Sequence, residues 1–181
     1  ANHLIFGYRF KTKRVSAQTE LFHITSLNKI AFTNIDPNTI QYQNIEKSIS
    51  IGADLQLGLR LESGHAFNLN YSYLQIENPE DPAFNFINIP NHNLRISSEI
   101  EISENARFQI QYNYLSSRFS YTDGSFKTDA YGLVDAGINV ELRDAIGIQL
   151  LVSNLLDTEY YYTEGYPAEG INVRLGIRYS F

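Results

Sequence analysis

The chain has 181 residues and a formal net charge of −6, which is enough length for one domain with a real core and the wrong sign for a dedicated nucleic-acid binder. It has no Cys, so neither a disulfide framework nor a thiolate metal site can form, and its four histidines, His3, His23, His65 and His92, are scattered without ligand spacing. Thirteen Tyr and eleven Phe against five Pro favour strands over helices and disorder. No run of some eighteen apolar residues is present, which rules out a transmembrane helix but leaves barrels untouched, because each barrel strand carries only a weak hydropathy signal. Ala1 to Phe10 has neither the basic start nor the unbroken apolar centre of a signal peptide. The expectation is a leader already removed, or a start inside something longer.

Taken in order, Leu4, Phe6, Tyr8 and Phe10 alternate with Ile5, Gly7 and Arg9, and a polar turn at Lys11 to Arg14 ends that strand. Val15, Ala17, Thr19 and Leu21 form one face of a second strand. The pattern weakens from Thr25 to Thr33, and Asn34 to Asn38 reads as a loop. The third strand is the longest clean alternation, with Ile49, Ile51, Ala53, Leu55, Leu57, Leu59 and Leu61 on one face and Asp54, Gln56 and Arg60 on the other. Burying that Asp and Arg unpaired would cost several kcal/mol, so the polar face must see water. A fourth strand carries Phe67, Leu69, Tyr71 and Tyr73, and a polar connection from Glu77 to Asn91 follows. The fifth and sixth set Leu94, Ile96, Ile100 and Ile102, then Phe108, Ile110, Tyr112 and Tyr114, against polar partners. The seventh and eighth, around Val134 to Leu142 and Ile146 to Val152, are joined by Arg143 and Asp144. A long connection, Asp157 to Glu169, leads to a terminal alternating strand, Gly170 to Phe181.

Two regularities follow. Short turns near residues 12, 63, 104 and 144 alternate with long connections near 36, 84, 124 and 163, the asymmetry of an up-and-down membrane barrel with tight periplasmic turns and longer outer loops. Aromatics gather at strand ends, with Phe67 and Phe108 low and Tyr71, Tyr73, Tyr112 and Tyr114 high, as two girdles about one membrane height apart would. The fold class is therefore all-β, an antiparallel transmembrane β-barrel segment of about nine strands. An odd number cannot close from the periplasmic side, so the segment is expected to complete a larger barrel and, by parity, to begin in an outer loop.

The stretch Asn154-Leu155-Leu156-Asp157-Thr158-Glu159-Tyr160-Tyr161, then Gly165-Tyr166-Pro167 and the aromatic end at Phe181, resembles the closing strands of TonB-dependent outer-membrane receptors. The resemblance implies that residues 1–181 are the C-terminal nine of about 22 strands, in the outer membrane of a Gram-negative bacterium. The family's plug domain and TonB box have no counterpart in these residues, so this stretch alone is not expected to transport. The implied partners are the rest of the barrel and the plug, the TonB complex acting through the plug, outer-membrane lipid, and a scarce nutrient such as a ferric siderophore or cobalamin. On the strand assignment, Asp54, Arg60, Arg95, Glu99, Arg107, Asp135, Glu141, Arg174 and Arg178 face the lumen. Tyr160, Tyr161, Tyr162 and Tyr166 are candidates to stack on ligand, with girdle packing as the plainer reading. Tyr179 and Phe181 would carry the assembly signal, on the resemblance alone.

No G-x-S-x-G or H-E-x-x-H motif occurs, and His23 falls on the lipid-facing register. No catalytic residue, cofactor, metal or phosphate cradle is assigned, and no enzyme is expected. The second reading is a small self-standing outer-membrane barrel serving as a structural protein or adhesin.

Overall fold

Period-two alternation puts every second side chain on one face, and the face each strand keeps dry is set by how neighbouring strands are registered. The computed structural model describes residues 1–36, 39–142 and 146–179. Among them the strands are β1 (Asn2–Lys11), β2 (Val15–Asp36), β3 (Thr39–Arg60), β4 (Ala66–Glu77), β5 (His92–Ser103), β6 (Ala106–Leu115), β7 (Arg118–Phe119), β8 (Lys127–Thr128), β9 (Tyr131–Leu142), β10 (Ile146–Ser153), β11 (Tyr161–Thr163), β12 (Tyr166–Pro167) and β13 (Asn172–Tyr179). Nine form one sheet in the order β1-β2-β3-β4-β5-β6-β9-β10-β13, and β7-β8 and β11-β12 are two small hairpins within outer connections.

The registers join the apolar positions into rows. Leu57 stands opposite Leu69, Leu69 opposite Ile96, Ile96 opposite Tyr112 and Tyr112 opposite Val134. On the other side of the sheet centre, Ile138 is opposite Leu150 and Leu150 opposite Leu175. These rows are open to the surroundings, with Phe6 and Leu175 each 67% exposed. Among the described residues only Ile45, Ala66, Tyr131 and Tyr160 are buried apolar side chains. Such a wall has no dry interior of its own, and its apolar face requires lipid. Both β1 and β13 have a strand on one side only. In a bilayer each unpaired backbone group on such an edge costs several kcal/mol, so the nine strands are an open wall and not a closed barrel.

The structure departs from the sequence reading at the first outer connection. The expected loop beginning at Asn34 is strand through Asp36, and β3 begins at Thr39, so β2 and β3 are 22 residues each; Pro37 and Asn38 lie outside the described residues. At ~3.3 Å per residue each strand runs roughly 73 Å, whereas about 9–11 tilted residues cross a bilayer. The remainder stands above the membrane. There neither face is held in lipid, so alternation is not required and the pattern fades from Thr25 although the ladder continues as far as Asp36 opposite Thr39. The proposed turn at Arg143 and Asp144 lies outside the described residues. The aromatic ends are also closer than a membrane height: Phe67 to Tyr73 is six residues, roughly 20 Å of strand, against an apolar band of ~25 Å.

The outer end of the last hairpin is fixed by one asparagine. Asn154 is 3% exposed and holds φ 50°, a left-handed conformation that Asn tolerates better than most residues. Its backbone N–H donates to Asp135 Oδ1 at 2.9 Å, which ties the end of β10 to β9. Its Nδ2 donates to the carbonyls of Thr158 and Glu169 at 2.9 and 3.3 Å, and its Oδ1 accepts from Thr158 N–H at 2.8 Å. Asp157, also left-handed at φ 51°, accepts from Ile171 N–H at 3.0 Å and so fixes the entry to β13. A Cβ at Gly170 would lie 2.6 Å from that same Asp157 Oδ1, so a side chain there would push the carboxylate away from Ile171 N–H.

Two outcomes follow for the protein carrying this chain. Leu150→Arg, on the outward row at mid-strand, should cost about 2–4 kcal/mol in urea titrations of refolding into lipid vesicles, while Gln149→Arg on the opposite face should leave the midpoint nearly unchanged. Asn154→Ala should cost about 1–3 kcal/mol by stranding buried carbonyls, and hydrogen exchange should rise at residues 154–171 but not in β4 or β5. Equal shifts for Leu150→Arg and Gln149→Arg would contradict the assignment of faces.

Candidate functional site

The nine charged residues picked out in the sequence, Asp54, Arg60, Arg95, Glu99, Arg107, Asp135, Glu141, Arg174 and Arg178, all occupy the face opposite the apolar rows. The registers show this pairwise: Asp54 opposes Ser72, Arg95 opposes Asn113, and Glu141 and Arg178 each oppose Gly147. They are joined mostly to neighbours on that face. Ser72 Oγ donates to Asp54 at 2.5 Å, Arg95 Nε donates to Asn113 Oδ1 at 2.9 Å, and Asn113 Nδ2 reaches Asp135 Oδ2 at 3.3 Å. Toward the short turns, Arg178 meets Glu141 at 2.6 Å, and Arg107 lies 3.9 and 3.6 Å from Glu99 and Glu101. These ion pairs are exposed, so each stabilises little, typically below about 1 kcal/mol. Arg174 donates weakly to Asn172 at 3.4 Å.

The outer connections are not independent loops. Asn85 N–H donates to the Thr122 carbonyl at 2.7 Å and Asn88 N–H to the Phe119 carbonyl at 2.9 Å, which couples the connection after β4 to the β7-β8 hairpin. Arg118 then couples that hairpin to the next one. Its Nη2 donates to the carbonyls of Tyr161 and Tyr162 at 2.8 and 2.6 Å, and its guanidinium lies 5.7 Å from the centre of the Tyr131 ring. Tyr131 packs on Tyr160 at 4.7 Å, and the hydroxyls of Tyr160 and Tyr162 are 3.2 Å apart. Lys29 of β2 sits 5.1 Å over Phe86, so the tall hairpin leans on the same block.

The four candidate tyrosines therefore separate. Tyr160 is buried in the aromatic cluster, and that burial, with the Tyr162 hydrogen bond, holds its hydroxyl above the ordinary tyrosine range. Tyr161 is half-buried and donates to Glu159 at 2.9 Å. Tyr162 and Tyr166 are 62% and 73% exposed; the Tyr162 ring meets Tyr160 edge-on at 5.2 Å and so forms the open rim of the cluster, while Tyr166 stands on β12. Tyr179 ends β13 opposite Ile146 on the apolar face, and Phe181 lies outside the described residues. Among the described residues no group of three or more acidic or histidine side chains is placed to hold a metal ion. Sequence reasoning passed over Arg118 and Tyr131, because a loop arginine and a strand-end tyrosine carry no periodic signal. Asn154 sat inside the motif that carried the resemblance, but its bonding role was not readable there.

A family model described as TonB dependent receptor-like, beta-barrel matches residues 4–155. The vitamin B12 transporter BtuB of Vibrio cholerae is 34% identical over 83 residues, which cover 43% of this chain and 14% of that protein. Among solved structures, the copper transporter OprC superposes with a TM-score of 0.82 at 15% identity, over 99% of this chain and 30% of its own. The ferric-catecholate import receptor Fiu of Escherichia coli K12 gives 0.80 at 19% identity over 99% and 27%, and the ferric yersiniabactin uptake receptor FyuA of Yersinia pestis gives 0.78 at 16% over 99% and 29%. At these identities the structural likeness speaks to the fold, and the chain spans only a fraction of the length of every one of these proteins. With the family match extending over most of the nine-stranded wall, the chain belongs to the TonB-dependent receptor-like β-barrel family.

Proposed function

We propose that residues 1–181 form the C-terminal portion of the barrel wall of an outer-membrane receptor that imports a scarce nutrient, a ferric siderophore, cobalamin or a similar compound too large for a porin. The observation that carries this reading is the pair of open edges, β1 and β13, on a wall whose rows are apolar outside and polar inside. Such edges need further strands of the same barrel, which weighs against a small self-standing barrel. By their names the relatives are transporters of vitamin B12 and of copper and receptors for ferric-catecholate import and ferric yersiniabactin uptake, so the particular cargo is left open.

In this reading the polar face lines the lumen and holds a plug supplied by the rest of the protein, through which the TonB complex acts. Asp54, Arg60, Arg95, Glu99, Arg107, Asp135, Glu141, Arg174 and Arg178 are its charged contacts. Capture takes place above the membrane, where Tyr162 and Tyr166 offer exposed rings, while Tyr160 and Tyr161 hold the hairpin that presents them. The chain has no catalytic step to perform. Tyr179 and Phe181 serve assembly into the outer membrane of a Gram-negative bacterium.

The first test is an intact mass of the denatured polypeptide from an outer-membrane preparation. A mass several times 20.7 kDa is expected; a folded, heat-modifiable species of 20.7 kDa standing alone would overturn the reading. In the intact receptor, Tyr162→Ala with Tyr166→Ala should lower uptake of labelled cyanocobalamin or of a labelled ferric siderophore about tenfold at limiting ligand, by ~1.4 kcal/mol of lost stacking, with surface abundance unchanged. Unaltered uptake of every cargo the receptor carries would remove the tyrosines from the capture site.

A further inference from the structure

Among the described residues one charged side chain is buried. Arg118 is 5% exposed, yet none of the ion pairs among those residues involves it. Its charge meets two dipoles and a ring: Nη2 donates to the carbonyls of Tyr161 and Tyr162 at 2.8 and 2.6 Å, and the guanidinium lies 5.7 Å from the centre of the Tyr131 ring. Nη1 is buried without a hydrogen-bond partner among the described residues. Burying a charge costs free energy unless it is paired, and even paired buried charges are often replaceable by apolar side chains without loss. An apolar side chain, however, has no grip on two successive carbonyls. Arg118 is therefore explained by what it holds.

It holds the strand that carries Tyr162. Both bonds leave one nitrogen and end on consecutive peptides of β11, so they fix the backbone at the point from which the Tyr162 ring departs. The ring then rests edge-on against Tyr160 at 5.2 Å and Tyr131 at 6.3 Å, and its hydroxyl is 3.2 Å from that of Tyr160. Tyr131 touches both groups, since its ring also lies beside the guanidinium. Arg118 reaches out from a firm base. It pairs across β7-β8 with Thr128, which is 2% exposed and whose hydroxyl is 2.9 Å from that of Ser120. The connection after β4 is bonded to the same hairpin through Asn85 and Asn88. By contrast β11 and β12 are three and two residues long, so their own ladder does little to fix them.

We propose that Arg118 is the positioning residue of the capture site, holding the β11-β12 hairpin in one orientation so that the Tyr162 ring is set before cargo arrives. The proposal rests on the reading of Tyr162 and Tyr166 as capture residues. A ring ordered in advance loses less freedom on binding, and sparing that loss raises affinity without any new contact. The role needs the guanidinium and not the charge alone. One nitrogen spans two carbonyls while the rest of the group lies against Tyr131, which a lysine ammonium, a point charge on a flexible stem, does not reproduce.

The test uses the intact receptor with Arg118→Met, which keeps the space filled and removes the grip. Uptake of labelled cyanocobalamin and of a labelled ferric siderophore is measured against concentration, with the urea midpoint and hydrogen exchange followed in parallel. Arg118→Met should raise the half-saturating concentration about tenfold, leave the maximal rate and the urea midpoint nearly unchanged, and speed exchange at residues 159–167. In a Tyr162→Ala/Tyr166→Ala background the same substitution should add little, because the rings it sets are gone. Arg118→Lys, which retains the charge, should lose affinity as well, and it decides the matter if the methionine variant does not fold. An unchanged half-saturating concentration, an effect of equal size with and without the tyrosines, or full affinity in Arg118→Lys would overturn the proposal. The two readings fail separately. If removing the tyrosines leaves uptake intact, the capture reading falls; if it lowers uptake while Arg118→Met does not, only the positioning role falls.

Discussion

The backbone has no water to bond to in the middle of a bilayer, and that requirement dominates this structure. Every N–H and C=O along the spanning part must find another strand, so pairing is continuous from β1 to β13 through all nine strands of the wall. Continuous pairing in turn fixes which side chains share a row. Because the pleat has period two, a slip of one residue between any two strands would put arginines on the apolar face and leucines on the polar one. The registers show no such slip in the spanning part: rows such as Leu57–Leu69–Ile96–Tyr112–Val134 keep one character across five strands.

This is also why so much was legible in the sequence. Inside the bilayer the two faces meet two different solvents, and composition follows the pleat closely enough that β4 through β6 and the lower end of β3 could be placed within a few residues of their observed ends. Above the bilayer both solvents are water. The upper parts of β2 and β3 keep their ladder to Asp36 and Thr39, but residues such as Asn28, Lys29 and Asn44 are under no rule of alternation, and the strands looked like loop. The same holds for β7-β8 and β11-β12, which are two or three residues long and are defined by contacts with one another and not by pattern. Arg118 illustrates the limit: it is 5% exposed and joins two outer hairpins, yet its neighbours Ser117 and Phe119 say nothing of burial.

Asn154 lies between these cases. The N-L-hydrophobic-D run carried the family resemblance, and the structure supplies a physical reason for its residue types. An amide side chain alone can donate to two carbonyls and accept from a third group at once, and Asn is among the few residues that tolerate φ 50° while doing so. Asp157 repeats the device one turn later, with Gly170 kept small beneath it. The corner therefore sets where β13 begins, and with it the register of the edge that the remaining strands must meet.

Stability and recognition are consequently placed on opposite faces. A soluble domain of this length draws most of its stability from a buried core, and polar residues intrude on that core at a cost. Here the apolar face is satisfied by lipid and the ladder by neighbouring strands, so the inner face bears little of the folding free energy. Its ion pairs are exposed and weak, Arg178 with Glu141 and Arg107 with Glu99 and Glu101 among them. On the proposed reading, what constrains the inner face is the shape and charge of whatever occupies the lumen. Gly58 is kept small from within the wall, since a Cβ there would lie 2.6 Å from Ser16 Oγ.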